Sequence, residues 1–190
     1  MKYFTPELYV QGNSTDDDLL DWVEDEWERR IKRYQRHYKK IASQLPEALR
    51  RFSDEQCLHD ADWLGLALLP TYTFPSNSQD ITIIARQENT LIPEFKHTLA
   101  ILQYTVTAPP VVEKPVQSKV FSDIQPTWLY DEIDVVEPGV FSHSILVSNG
   151  LVVTITFREF RCHIARLLVP THNGAVEEKR HPARHKTASP

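Results

Sequence analysis

A chain of 190 residues and 22.0 kDa is long enough to bury a sizeable core without a disulfide or a structural metal, and its 41% hydrophobic and 25% charged residues are ordinary for a globular protein. The formal net charge of -5 disfavours a domain that holds nucleic acid by neutralising phosphates, and two cysteines, Cys57 and Cys162, are too few for a secreted disulfide framework. The first residues lack the apolar core of a leader, and the uncharged stretch 139–157 is broken by Ser142, His143, Ser144 and Asn149, so a cytoplasmic protein with no membrane association is expected.

Residues 1–13 read as an extended start that docks Tyr3, Phe4, Leu8 and Tyr9 before a Gly12-Asn13 turn. A helix is predicted from Ser14 or Thr15, either of which suits its cap, with Asp16, Asp17 and Asp18 at the positive end of the helix dipole. Leu20, Val23, Trp27, Ile31, Tyr34, Tyr38, Ile41 and Leu45 recur every three or four residues and draw one apolar stripe along it. Its charges are segregated: residues 16–28 hold eight acids and no Lys or Arg, residues 29–40 hold seven Lys and Arg and no acid. The dipole favours that order, with Asp25–Arg29, Glu26–Arg30 and Glu28–Lys32 as supporting i,i+4 pairs. The alternative is a basic patch whose candidate binding residues are Arg29, Arg33, Arg36 and Lys40. Tyr3, Phe4, Trp22 and Trp27 are expected to pack this helix on its own sheet rather than on a second copy.

Pro46 suits the first turn of a short second helix through Phe52, which the capping-box pattern Ser53-Asp54-Glu55-Gln56 restarts or extends. The helical segment closes at residue 56, a β region of the same domain follows over 57–170, and the polar tail 171–190 is expected to be disordered. Strands are predicted over 63–69, 71–74, 81–86 and 99–106. The four prolines of 107–127 mark a connection with at most one edge strand, around 116–121. Segments 128–136, 140–148 and 151–160, joined by Glu137-Pro138-Gly139 and Asn149-Gly150, read as a three-stranded meander. The fold class is therefore α+β, a long N-terminal amphipathic helix and a short second helix packed on a mostly antiparallel sheet.

Chemistry is sparser. With Asn149-Gly150 as a two-residue loop, His143 faces Thr156, and Leu146, Val153, Ile155 and Phe157 share the better core face. Asp131, Glu132 and Asp134 lie on the preceding strand. A three-residue loop at 137–139 places Ile133 opposite His143; a two-residue Pro138-Gly139 turn places Asp134 there, where it would orient His143 as a general base. The adjacent pair His59-Asp60 matches one element of metal-dependent phosphohydrolases but lacks their further ligands, and turn and cap hydrogen bonds are its expected role. Cys57, His59, Cys162 and His163 have the number but not the spacing of a zinc site, and neither a metal nor a cofactor is expected. The candidate catalytic residues are thus His143, Asp134, His59 and Asp60.

The start Met1-Lys2-Tyr3-Phe4-Thr5-x-Glu7-Leu8-Tyr9, the junction Leu58-His59-Asp60-Ala61, and the run Trp128-Leu129-Tyr130-Asp131-Glu132-Ile133-Asp134 resemble a family of uncharacterised bacterial proteins. Phe141-Ser142-His143-Ser144-Ile145-Leu146, Ser148-Asn149-Gly150 and Phe157-Arg158-Glu159-Phe160 extend the resemblance over most of residues 1–160. It implies a bacterial cytosolic origin and the same helix-then-sheet order, and no activity; the middle connection and the basic tail do not match it. The features together favour a non-catalytic protein-binding or regulatory module, comparable by size and charge to immunity proteins, with a protein partner and with nucleic acid disfavoured. A hydrolase or transferase using His143 with a carboxylate from 131–134 is the alternative.

Overall fold

The computed structural model describes residues 1–70, 79–88, 97–121 and 124–167. The strand expected over 71–74 and the tail 171–190 lie outside them. The helices are α1 (Pro6–Gln11), α2 (Asp17–Ile41) and α3 (Glu47–Glu55), with a turn of 3-10 helix at Ala42–Gln44. The strands are β1 (Asp62–Pro70), β2 (Gln79–Glu88), β3 (His97–Val106), β4 (Val111–Glu113), β5 (Trp128–Glu137), β6 (Val140–Val147) and β7 (Val152–Leu167). They form an antiparallel sheet in the order β1-β2-β3-β7-β6-β5, with β4 beside β7. The α+β architecture expected from the periodicities is the one observed.

Three local expectations are corrected. The start of the chain is not extended, because Thr5 caps a short helix whose first residue is Pro6, a residue pre-set for helical φ. Asp16, rather than Ser14 or Thr15, caps α2 by accepting from the Leu19 N–H, while the Ser14 hydroxyl accepts from the Asp16 N–H one step earlier. The edge strand of the proline-rich connection is β4, not residues 116–121. Thr107 still bonds to the Thr156 carbonyl, so β4 resumes the course of β3 along β7 after the Pro109-Pro110 interruption.

The sheet is curled. The Trp63 N–H reaches the Pro126 carbonyl, the Trp128 N–H the Ala61 carbonyl and the Asp60 N–H the Trp128 carbonyl, each at 2.8 Å, so the first and last strands meet at one end. Asp62 clamps this junction, accepting from Arg86 at 2.6 and 2.8 Å and from Gln125 at 2.9 Å. On the concave side lie Ile81, Ile83, Leu102, Tyr104, Ile145, Ile155 and Phe157, covered by Leu49 and Phe52 of α3 and by Ile41 and Leu45. Leu49 and Phe52 are three residues apart, one turn of helix, so both point into this core. A bulge at Arg158 lets Phe157 and Phe160, also three apart, face inward together.

Helix α2 runs along the free side of β5. The Ile133 N–H donates to the Tyr34 hydroxyl at 2.8 Å and His37 Nε2 lies 2.8 Å from Asp134 Oδ1, so side chains occupy an edge that would otherwise be bare. Glu132 accepts from three consecutive backbone N–H groups, Lys2 at 2.8 Å, Tyr3 at 2.6 Å and Phe4 at 2.7 Å. Tyr3 and Phe4 are thereby held against Tyr34, and Phe4 against Trp27 and Tyr130. Self-packing holds for Tyr3, Phe4 and Trp27, whereas Trp22 is 50% exposed.

Two expectations follow. Glu132→Ala leaves three N–H groups without their acceptor and is expected to cost about 3 kcal/mol in urea unfolding, with Glu132→Gln losing about half of that. Arg86 holds the Asp62 carboxyl below the usual carboxylate range, Gln125 adding to the effect and burial opposing it. A depressed folded pKa stabilises above the unfolded value and is lost as pH falls through the folded one. The stability gap between wild type and Arg86→Met is therefore expected to be open at neutral pH and to close on acidification, read from unfolding curves across the acid range.

Candidate functional site

His143 is fully buried. The hairpin places it opposite Ile155, not Thr156, because Ser148 joins Asn149 and Gly150 in a three-residue loop closed by Val147 N–H to Leu151 carbonyl and Gly150 N–H to Val147 carbonyl. That single step of register gathers Phe141, His143, Ile145, Val153, Ile155 and Phe157 onto one face, where the two-residue loop would have split them. Gly150 has φ +82° and the Phe121 ring lies 2.8 Å from where its Cβ would be, so the loop also has no room for a side chain there.

Opposite His143 on β5 stands Ile133. The Pro138-Gly139 turn is indeed a two-residue one, with Glu137 facing Val140, but a bulge at Val136 shifts the register back before it reaches His143. Asp134 therefore points to the other face, bonded to His37 and to the Val135 N–H, and the Asp134–His143 pair is not formed. A second bulge at Leu129 brings Trp128 and Asp131 to the inner face together.

The carboxylate that meets His143 is Asp131, at 3.0 Å from Nε2, the diagonal neighbour across the strand pair. The Trp128 indole N–H donates to its other oxygen at 3.1 Å, and the Tyr104 hydroxyl lies 2.8 Å from His143 Nδ1. A carboxylate only accepts, so Nε2 carries a proton, and a neutral ring then accepts at Nδ1 from the tyrosine. Every polar atom of this Tyr104–His143–Asp131–Trp128 chain is satisfied in that protonation state. Burial, with the charge of Asp131 adding to it, pushes the Tyr104 hydroxyl well above the usual phenol range, which keeps the donor protonated. Phe52, Trp128 and Tyr104 surround the imidazole with ring centroids 5.7 to 6.0 Å away.

Only Asp131 of the chain reaches the surface; its side chain is 31% exposed and lines a cleft of about 430 Å³ with Asp54, Cys57 and His59. His59 and Asp60 make the local contacts expected of a turn: His59 Nδ1 is 2.8 Å from Asp60 Oδ2, and Asp60 adopts the left-handed φ of 64° that Asp tolerates. They make no hydrogen bond to His143, whose only hydrogen-bond partners among the described residues are Tyr104 and Asp131. Cys162 is half-buried and burial pushes its thiol up to about 11, so it rests as a thiol. Among the described residues no three His, Cys, Asp or Glu side chains gather as a metal site.

On α2, Arg29 turns to Glu26 instead of Asp25, beside the Glu26–Arg30 and Glu28–Lys32 pairs. Arg30 also reaches the Tyr3 carbonyl at 3.1 Å, tying the half-buried end of this cluster to the N-terminal segment. Arg33, Arg36 and Lys40 are exposed. A larger cleft, about 490 Å³, opens between α1 and α2 over Tyr130; Tyr9, Trp27 and Tyr130 form its aromatic wall. No sequence periodicity pointed to it, since Tyr130 lies more than 100 residues along the chain from the helix residues that line the cleft. No helix among the described residues is long and apolar enough to cross a membrane. No family model matches the chain, and neither a curated protein nor a solved structure matches it.

The closed hydrogen-bond chain is expected to act on stability. Tyr104→Phe removes the donor to Nδ1 and should lower the unfolding free energy by about 1.5 kcal/mol, measured by urea titration followed through Trp fluorescence.

Proposed function

We propose that this protein is a non-catalytic binding or regulatory module that engages a protein partner through the open cleft between α1, α2 and Tyr130. That cleft carries the reading: three aromatic side chains line an opening of about 490 Å³ at the surface, the usual composition of a recognition site. The imidazole of His143 is by contrast enclosed and already bonded on both nitrogens, an arrangement that serves the core. A cytoplasmic setting accords with the free thiols of Cys57 and Cys162, and the bacterial origin implied by the resemblance is part of the same proposal.

The second reading, a hydrolase or transferase, has one observation in its favour. Asp131 joins buried His143 to a surface cleft that also holds Cys57 and His59. A substrate bound there would meet Asp131 and not the imidazole.

The test is affinity capture by the tagged full chain from its host lysate at low and moderate salt, run beside a Tyr130→Ala, Trp27→Ala variant whose folding is checked by circular dichroism. A stoichiometric protein captured by the wild type and lost with the folded variant is the expected result. Capture of no protein, together with turnover in a hydrolase screen that Asp131→Asn abolishes, would replace this reading with the second.

A further inference from the structure

Within the cleft assigned above to partner binding, the distribution of charge selects the ligand. Glu24 and Glu28 stand on its α2 side, and among the described residues no Lys, Arg or His lines it. The Trp27 and Tyr130 rings are 4.6 Å apart and inclined at 62°, and Tyr9 meets Tyr130 at 6.3 Å and 63°, so the walls are steeply angled rings rather than one flat stack. Leu8, Leu20 and Val23 complete an apolar lining. Lys32, which is exposed, pairs with Glu28 at 2.6 Å from outside the lining.

We propose that this cleft takes a lysine or arginine side chain of the protein partner, its charge between Glu24 and Glu28 and its alkyl stem against Leu8, Leu20 and Val23. This rests on the binding-module reading and deepens it. Ring faces carry partial negative charge and attract a cation, a preference that two carboxylates reinforce and that an anionic ligand would meet as repulsion. A purely apolar side chain would make no use of either carboxylate. The cleft volume is larger than a bare ammonium needs, whereas a long basic side chain brings both a charge and an apolar stem. In binding, the incoming cation competes with Lys32 for Glu28, so the interaction is expected to weaken with salt.

The test uses the full chain labelled with 15N and three blocked tripeptides of the form Gly-X-Gly, with X arginine, norleucine or glutamate. The Trp27 indole N–H is the reporter, assigned with Trp27→Phe. The arginine peptide should shift that signal saturably, the norleucine and glutamate peptides should bind at least about fivefold more weakly, and Glu24→Gln with Glu28→Gln should reduce the arginine affinity about tenfold, the size expected of an exposed cation site. Equal shifts from arginine and norleucine, no shift from arginine, or an affinity unchanged in the double variant would overturn the assignment. The two levels separate cleanly: a partner that the Tyr130→Ala, Trp27→Ala variant loses but the double Gln variant retains would leave the binding-module reading standing and remove the cationic side chain from it.

Discussion

The structure depends on one carboxylate. Glu132 sits on the last strand of the sheet and gathers the N–H groups of Lys2, Tyr3 and Phe4, residues that no helix or strand provides with partners. Burying a carboxylate is expensive unless donors surround it, and burying three N–H groups is expensive without an acceptor, so each side makes the other tolerable. With that contact made, Tyr3 and Phe4 become fixed packing surfaces, and α2 lies on them through Trp27, Tyr34 and His37. The edge of β5, the mouth of the α1–α2 cleft and the position of Tyr130 all follow from where that helix rests.

A second polar assembly does the corresponding work inside the curled sheet. Tyr104, His143, Asp131 and Trp128 come from β3, β6 and β5, and their hydrogen bonds cross the concave face between strands that are not all neighbours. Such a chain is worth most when every member is satisfied, and it makes the packing of this core directional where aliphatic side chains alone are not. It also ends at the surface, in Asp131, so the interior network and the smaller cleft share one residue. The two surface clefts meet at Tyr130, which lines both.

Charge has been arranged in layers along α2. Glu26, buried against the N-terminal segment, is held below the usual carboxylate range first by Arg30 and then by Arg29, and with the exposed Glu28–Lys32 pair it marks the stretch where acids and bases of the helix meet. Away from that point the acids stay toward the start of the helix and the bases toward its end, as the dipole favours. The carboxylates on the cleft side, Glu24 and the Lys32-paired Glu28, stand beside its aromatic walls.

The sequence alone determined the main elements, though not the short helix α1 or the place of β4. The three-and-four spacing from Leu20 to Ile41 could only be buried as a helix, and alternation with turn residues at 137–139 and 149–150 could only be buried as a meander, because these periods are set by local backbone geometry. It did not determine which residues face each other. Bulges at Leu129, Val136 and Arg158 and one extra loop residue at Ser148 each move a strand by one step, and one step exchanges its faces. Those shifts are chosen by what the completed core accepts: Trp128 and Asp131 inward together, Phe157 and Phe160 inward together, His143 among aromatics instead of beside Asp134. For the same reason Glu132, unremarkable among three nearby acids in the chain, became the anchor of the N-terminus, and a cleft between residues more than 100 positions apart was decided only by the tertiary structure.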